Sequence, residues 1–90
     1  MKETIKETEK ILKALANRRR LAIVKYLNKT KTASVGDISE EIKLSFKATS
    51  KHLGILHSAD IVEREQIGLT MMYRLYNPAH IILKSVIPII

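Results

Sequence analysis

The side chains best placed to do chemistry in this sequence are cationic. Arg18, Arg19 and Arg20 stand in a row, and Ser50 and Lys51 follow Lys47 at three and four residues, the spacing of one helical face. Guanidinium and ammonium groups in such clusters bind anions, phosphates above all. The means for catalysis are missing. There is no cysteine, which removes disulfides, thiolate nucleophiles, thiolate metal sensing and cysteine-type zinc sites. No nucleophile stands with a base, no carboxylate pair forms a recognisable motif, and no glycine-rich loop is built to cradle a phosphate. His57 and His80 have no partner at metal-ligand spacing. The expectation is a binding protein with no cofactor and no metal, not an enzyme.

Charge placement sharpens this. The formal net charge is +7, and residues 17–31 alone carry +6. A concentrated positive patch is the usual footprint of a polyanion-binding face, whereas a high isoelectric point alone often reflects only solubility. Few aromatic side chains, Tyr26, Phe46, Tyr73 and Tyr76, offer no obvious stacking platform, so duplex DNA is favoured over RNA. Residues 1–13 alternate charge and lack the uninterrupted apolar stretch of a signal peptide or membrane span, so a cytoplasmic location and no membrane partner are expected.

The elements that must position these groups follow from periodicity. With 90 residues the chain is read as a single domain, 1–90. A first amphipathic helix over Lys2 to Ala16 carries Ile5, Thr8, Leu12 and Leu15 at helical spacing. Asn17 is a good N-cap for a second, with Leu21, Val24 and Leu27 on one side, widened by Ile23 and Tyr26, to about Asn28. Ser34 and Asp37 have capping-box-like spacing before a short helix carrying Ile38 and Ile42. Ser45 then caps a helix from Phe46 to about Ala59 that buries Thr49, Leu53 and Leu56. Alternation over Ile61 to Gln66 and Met71 to Tyr76, with Gly68 between, predicts a hairpin. Asn77-Pro78 reads as a helix start, Asn capping and Pro at the first position, and the helix runs through Ala79 to Ile87. The fold class is mainly α with a small β-hairpin, in the order α-α-α-α-β-β-α. Two short helices joined by a tight turn and followed by a hairpin form a winged helix-turn-helix, an architecture that places the second helix in the major groove.

Three stretches carry a resemblance to the ArsR family of regulators: Leu12 to Leu21, then Ser50-Lys51-His52-Leu53-Gly54-Ile55-Leu56, then Ala59-Asp60-Ile61-Val62 through Gly68 to Tyr73-Arg74-Leu75. The resemblance covers roughly Lys10 to Pro78. It implies a dimeric repressor whose recognition helix is Phe46 to Ala59, and His52 as a structural residue. Many relatives carry paired cysteines where this chain has Ala33 to Asp37, and the final helix lacks the Asp-x-His pattern of zinc-sensing relatives, so a metal effector has no support and any small-molecule effector is unidentified.

The DNA-facing candidates are Phe46, Lys47, Ser50, Lys51 and Gly54, opposite Thr49, Leu53 and Leu56, together with Arg18, Arg19 and Arg20 and, on the wing, Gln66 and Thr70. Cations in the first turn of a helix oppose its macrodipole, so an anion beside Arg18 and Arg19 would relieve them. Two roles stand open for Arg20: a phosphate contact, or pairing inside the fold with Asp37, Glu40 or Glu41. The wing tip, Gln66 to Thr70, is uncharged, unlike the basic tips usual in the family; it inserts near the minor groove, lies idle or contacts protein. Gly54 signals close approach of another backbone or simple tolerance. The terminal helices, about 1–16 and 78–87, are expected to form a two-fold interface through Ile5, Leu12, Ile81, Ile82, Val86 and Ile89. The leading reading is a sequence-specific regulator of transcription, a homodimeric repressor on an inverted-repeat operator. The competing one is a winged-helix protein-interaction module with weak or lost DNA binding.

Overall fold

The computed structural model describes residues 4–90; the predicted helix start at Lys2 lies outside them. The chain runs α1 (Ile5–Leu15), α2 (Arg18–Thr30), β1 (Ala33–Ser34), α3 (Val35–Ile42), α4 (Phe46–Ser58), β2 (Val62–Ile67), β3 (Thr70–Leu75) and α5 (Ile81–Val86), closed by a 3-10 turn over Ile87–Ile89. No helix among the described residues is long and apolar enough to cross a membrane.

The helix starts follow capping chemistry. Thr4 and Glu7 form a full capping box on α1, which lowers the Glu7 pKa through its bonds from the Thr4 backbone N–H and then the Thr4 hydroxyl. Asn17 Oδ1 accepts from the Arg19 and Arg20 N–H groups at 2.9 and 3.1 Å. Ser34 Oγ accepts from Asp37 N, and Ser45 Oγ from Ala48 N. Each supplies an acceptor to a first-turn donor that has none inside its helix.

The turn between α3 and α4 is built by Lys43 in the left-handed region, φ 54°, with Leu44 N–H donating to Ser39 O at 3.1 Å. That bond closes the end of α3 and throws the chain across to Ser45, so α4 begins two residues on, packed against α3. Thr49, Leu53 and Leu56 are buried as the spacing predicts, and with Ile23, Val24, Leu27, Ile38, Ile61, Val62 and Leu83 they form one core.

The hairpin is antiparallel, with Val62 opposite Leu75 and Ile67 opposite Thr70, and Gly68 at φ +62° supplies the left-handed turn residue that a side chain would disfavour.

Three expectations are corrected. The wing is the edge of a three-stranded sheet in the order β1-β3-β2: Ala33 pairs with Tyr73 and Ser34 with Met72, so Ser34 both closes a strand and caps a helix. The second helix continues beyond Asn28 to Thr30. The last helix does not start at Asn77-Pro78. Asn77 N–H is bound by Glu63 Oε2 at 3.2 Å, and the helix starts at Ile81, where His80 Nδ1 accepts from Ile82 N at 3.0 Å. On α1, Leu15 of the predicted stripe is buried together with Ile11 and Ala14, while Ile5 and Leu12, expected at a two-fold interface, are exposed in one copy.

Candidate nucleic-acid interface

The outer face of α4 gathers half of the residues singled out for DNA. Phe46, the first residue of the helix, is 63% exposed, and Lys47, Lys51 and Gly54 are exposed while Ser50 is half-buried. Neither lysine has an ion pair among the described residues. A face with two unpaired ammonium groups, a hydroxyl and a forward aromatic ring has the chemistry to meet phosphates, base edges and a thymine methyl. A Cβ built on Gly54 meets nothing within 4 Å, so no other backbone among the described residues approaches it.

The arginines divide. Arg18 is exposed and Arg19 half-buried, neither side chain has a hydrogen-bond or ion-pair partner among the described residues, and α2 has no acidic residue in its first turn. Their charge stands at the positive end of the helix beside α4. Arg20 is spent on the fold. Its Nε donates to Ala14 O at 2.6 Å, one terminal nitrogen to Lys13 O at 3.3 Å, and the other lies 3.1 Å from His52 Nδ1. It binds neither Asp37, Glu40 nor Glu41; its partners are the last-turn carbonyls of α1, at the negative end of that helix's dipole, and a histidine on α4. One side chain thus fixes α1, α2 and α4 relative to one another.

The geometry requires His52 to be neutral at Nδ1, since only an unprotonated nitrogen accepts from a guanidinium. Burial first, then the charges of Arg20 and Arg19, push the His52 pKa below its ordinary 6.5. Below pH 6.5 the unfolded chain therefore binds more protons at this site than the folded one, and the stability contributed by neutral His52 is complete above pH 6.5 and lost as pH falls through the folded value. The melting temperature should drop more steeply from pH 7.5 to pH 5 in the wild type than in His52→Gln, whose amide oxygen accepts from Arg20 without titrating. Parallel pH profiles for the two proteins would contradict this role.

On the wing, Arg74 pairs with Glu63 at 3.4 Å and Glu65 at 3.3 Å, neutralising the middle of that face. Gln66 folds back, its Nε2 donating to Gly68 O at 3.2 Å, and Thr70 is exposed. Ile67 is 58% exposed and Leu69 fully so. The structure therefore brings Phe46, Lys47, Ser50 and Lys51 together on α4, with Arg18 and Arg19 on the neighbouring helix; it does not turn the wing into a charged clamp. Arg64, exposed and without an ion pair among the described residues, is a wing cation that sequence reasoning passed over, because flanking Glu63 and Glu65 cancel it in any window count. On the terminal elements Ile5 is 90% exposed, Leu12 51%, Ile81 71% and Ile89 81%, with Ile82 and Val86 half-buried.

Comparison with known proteins agrees with this architecture. HlyU from Vibrio cholerae N16961 is similar at 31% identity and a TM-score of 0.80, over 99% of this chain and 92% of that one. The transcriptional repressor PagR of Bacillus anthracis is similar at 28% identity and a TM-score of 0.79, over 94% and 93% of the two chains. The homodimeric winged helix-turn-helix DNA-binding domain of Mb0332 from Mycobacterium bovis, a possible ArsR-family regulator, is similar at 25% identity and a TM-score of 0.83, over 94% of this chain and 76% of that one. No curated protein matches the chain. The family described as "Bacterial regulatory protein, arsR family" matches residues 17–64, from the cap of α2 through the helix-turn-helix into β2. These are regulators and not enzymes. With the fold, the arginine cluster and the Ser-x-His-Leu helix in agreement, the chain belongs to the ArsR family of winged helix-turn-helix regulatory proteins.

Proposed function

We propose that this chain is a homodimeric transcriptional repressor, acting in the cytoplasm, that reads an inverted-repeat operator with α4 from each copy. The observation that carries the reading is the α4 face: Phe46, Lys47 and Lys51 stand exposed beside Arg18 and Arg19, which have no ion pair among the described residues, with no acidic side chain in the first turn of either helix. Dimerisation is supported by the large apolar side chains that one copy leaves exposed at Ile5, Leu12, Ile81 and Ile89, and by the homodimer described for the similar Mb0332 domain. A two-fold axis through these terminal elements would set two recognition helices about one DNA turn, ~34 Å, apart. Repression then needs only occupancy of a promoter.

Selection from a random duplex library tests this. The expected product is an inverted repeat with half-sites about 10 base pairs apart, centre to centre; a pool that stays random after repeated rounds would count against sequence reading. The exposed apolar wing tip, Ile67 and Leu69, favours the interaction-module reading, and apolar docking would be insensitive to salt.

A further inference from the structure

Beside the DNA-reading face, α1 and α4 leave an open groove of about 570 Å³. Its floor is apolar: Ala14 from α1, and Gly54, Ile55 and Ala59 from α4 and its end. Ile55 is a large aliphatic side chain 41% exposed there. Its rim is cationic, with Lys10 and Lys13 on one side, Lys51 on the other and Arg20 at one end, and no carboxylate lines it among the described residues. Glu7 and Asp60 line only the adjoining cleft. Glu9 lies 3.9 Å from the Lys13 ammonium in an exposed pair, a contact worth little in water.

Gly54 gives the groove its depth. A Cβ at this position would meet nothing within 4 Å, so no packing demand accounts for glycine in mid-helix, where it costs about 1 kcal/mol against alanine. The groove is also separate from the apolar surface assigned to dimerisation, since Ile5 and Leu12 lie on the opposite flank of α1 from Lys10 and Ala14 by helical spacing.

We infer that this groove binds a small amphiphilic anion, an apolar ring system or chain bearing one sulfonate, carboxylate or phosphate. Ligand sites of this size, roughly 300–1,000 Å³, combine an apolar lining with a few polar groups that fix orientation, and the charge complementarity here favours an anion over a neutral guest. The apolar floor distinguishes such a guest from a DNA strand, whose sugar-phosphate backbone gains from the cations but not from Ile55. The consequence rests on α4 being the DNA-reading helix: an anion beside Lys51 neutralises a cation offered to the duplex, so ligand and DNA oppose each other.

The test uses two fluorescent probes of the same ring system, 8-anilino-1-naphthalenesulfonate and the uncharged N-phenyl-1-naphthylamine, titrated into the full chain without DNA, so its outcome does not depend on the DNA reading. The sulfonate should bind more tightly than the neutral probe, and Lys10→Gln/Lys13→Gln should weaken the sulfonate about tenfold while leaving the neutral probe unchanged. Ile55→Glu, at an exposed helical position that tolerates a charge, should abolish binding of the sulfonate. Equal affinity for both probes, or sulfonate binding indifferent to both variants, would overturn the assignment. So would a Lys10→Gln/Lys13→Gln protein that keeps its sulfonate affinity but loses DNA affinity and salt dependence, which would make the groove a seat for the DNA backbone.

Discussion

Replacing Lys47 and Lys51 together by alanine should weaken binding to the selected operator about 100-fold at moderate salt, the sum of two contacts of roughly 1–3 kcal/mol each. The steepness of log K against log salt should fall by about 0.9 for each phosphate that is no longer neutralised. Both side chains are exposed and free of ion pairs among the described residues, so the melting temperature should hardly move, as for surface substitutions away from caps and cores. That combination separates an interface effect from a folding effect. A double variant that binds the operator like the wild type would remove α4 from the interface.

The second large effect is expected at the terminal elements. Leu12→Glu places a charge on a side chain 51% exposed in one copy, which costs a lone chain little. At a two-fold interface the same substitution buries two facing carboxylates without partners, which is costly. The variant should run as a folded monomer by light scattering at about 10 μM. Its operator affinity should fall by 100-fold or more, because two half-sites bound by separate chains lose the effective concentration, of order millimolar, that linkage provides. Ile81→Glu should behave alike, since Ile81 is 71% exposed in one copy and belongs to the same proposed interface. A dimer that persists in both variants would place the interface elsewhere.

How far the sequence foretold this arrangement depends on whether the controlling interaction is local. The starts of α2 and α4 were legible because Asn17 and Ser45 bond their own first turns, and the burial of Thr49, Leu53 and Leu56 followed from a helical period with no competing pattern. Gly68 marked the hairpin because a left-handed residue was needed there. Strand β1 was not legible: two residues have no period, and only their pairing with Tyr73 and Met72 makes them a strand. At Asn77-Pro78 the cap signature was present, but a distant carboxylate, Glu63, holds the Asn77 N–H, and the helix waits for His80. On α1, charge alternation leaves two apolar flanks, and which faces inward is decided by the α2 and α4 surfaces, not by the helix itself.

The site shows the same division. The exposed face of α4 is the complement of its buried stripe, so finding one finds the other. The role of Arg20 had no such signature. Two of its three partners are backbone carbonyls, which no residue type announces, and its third, His52, is 32 positions away. The groove between α1 and α4 was invisible for the same reason: Lys10 and Lys13 belong to a segment whose net charge is small, and they become a cationic rim only beside Lys51.

The most direct test of the central claim is fluorescence anisotropy of the wild-type chain with the DNA upstream of its own gene, and with a scrambled duplex of equal length, over a salt series. A DNA-reading dimer should prefer the upstream duplex by about 10³-fold or more and lose affinity to both steeply as salt rises. Equally weak binding to the two duplexes, unchanged by salt, would contradict the account and leave the apolar wing and terminal elements as the surfaces that a protein partner recognises.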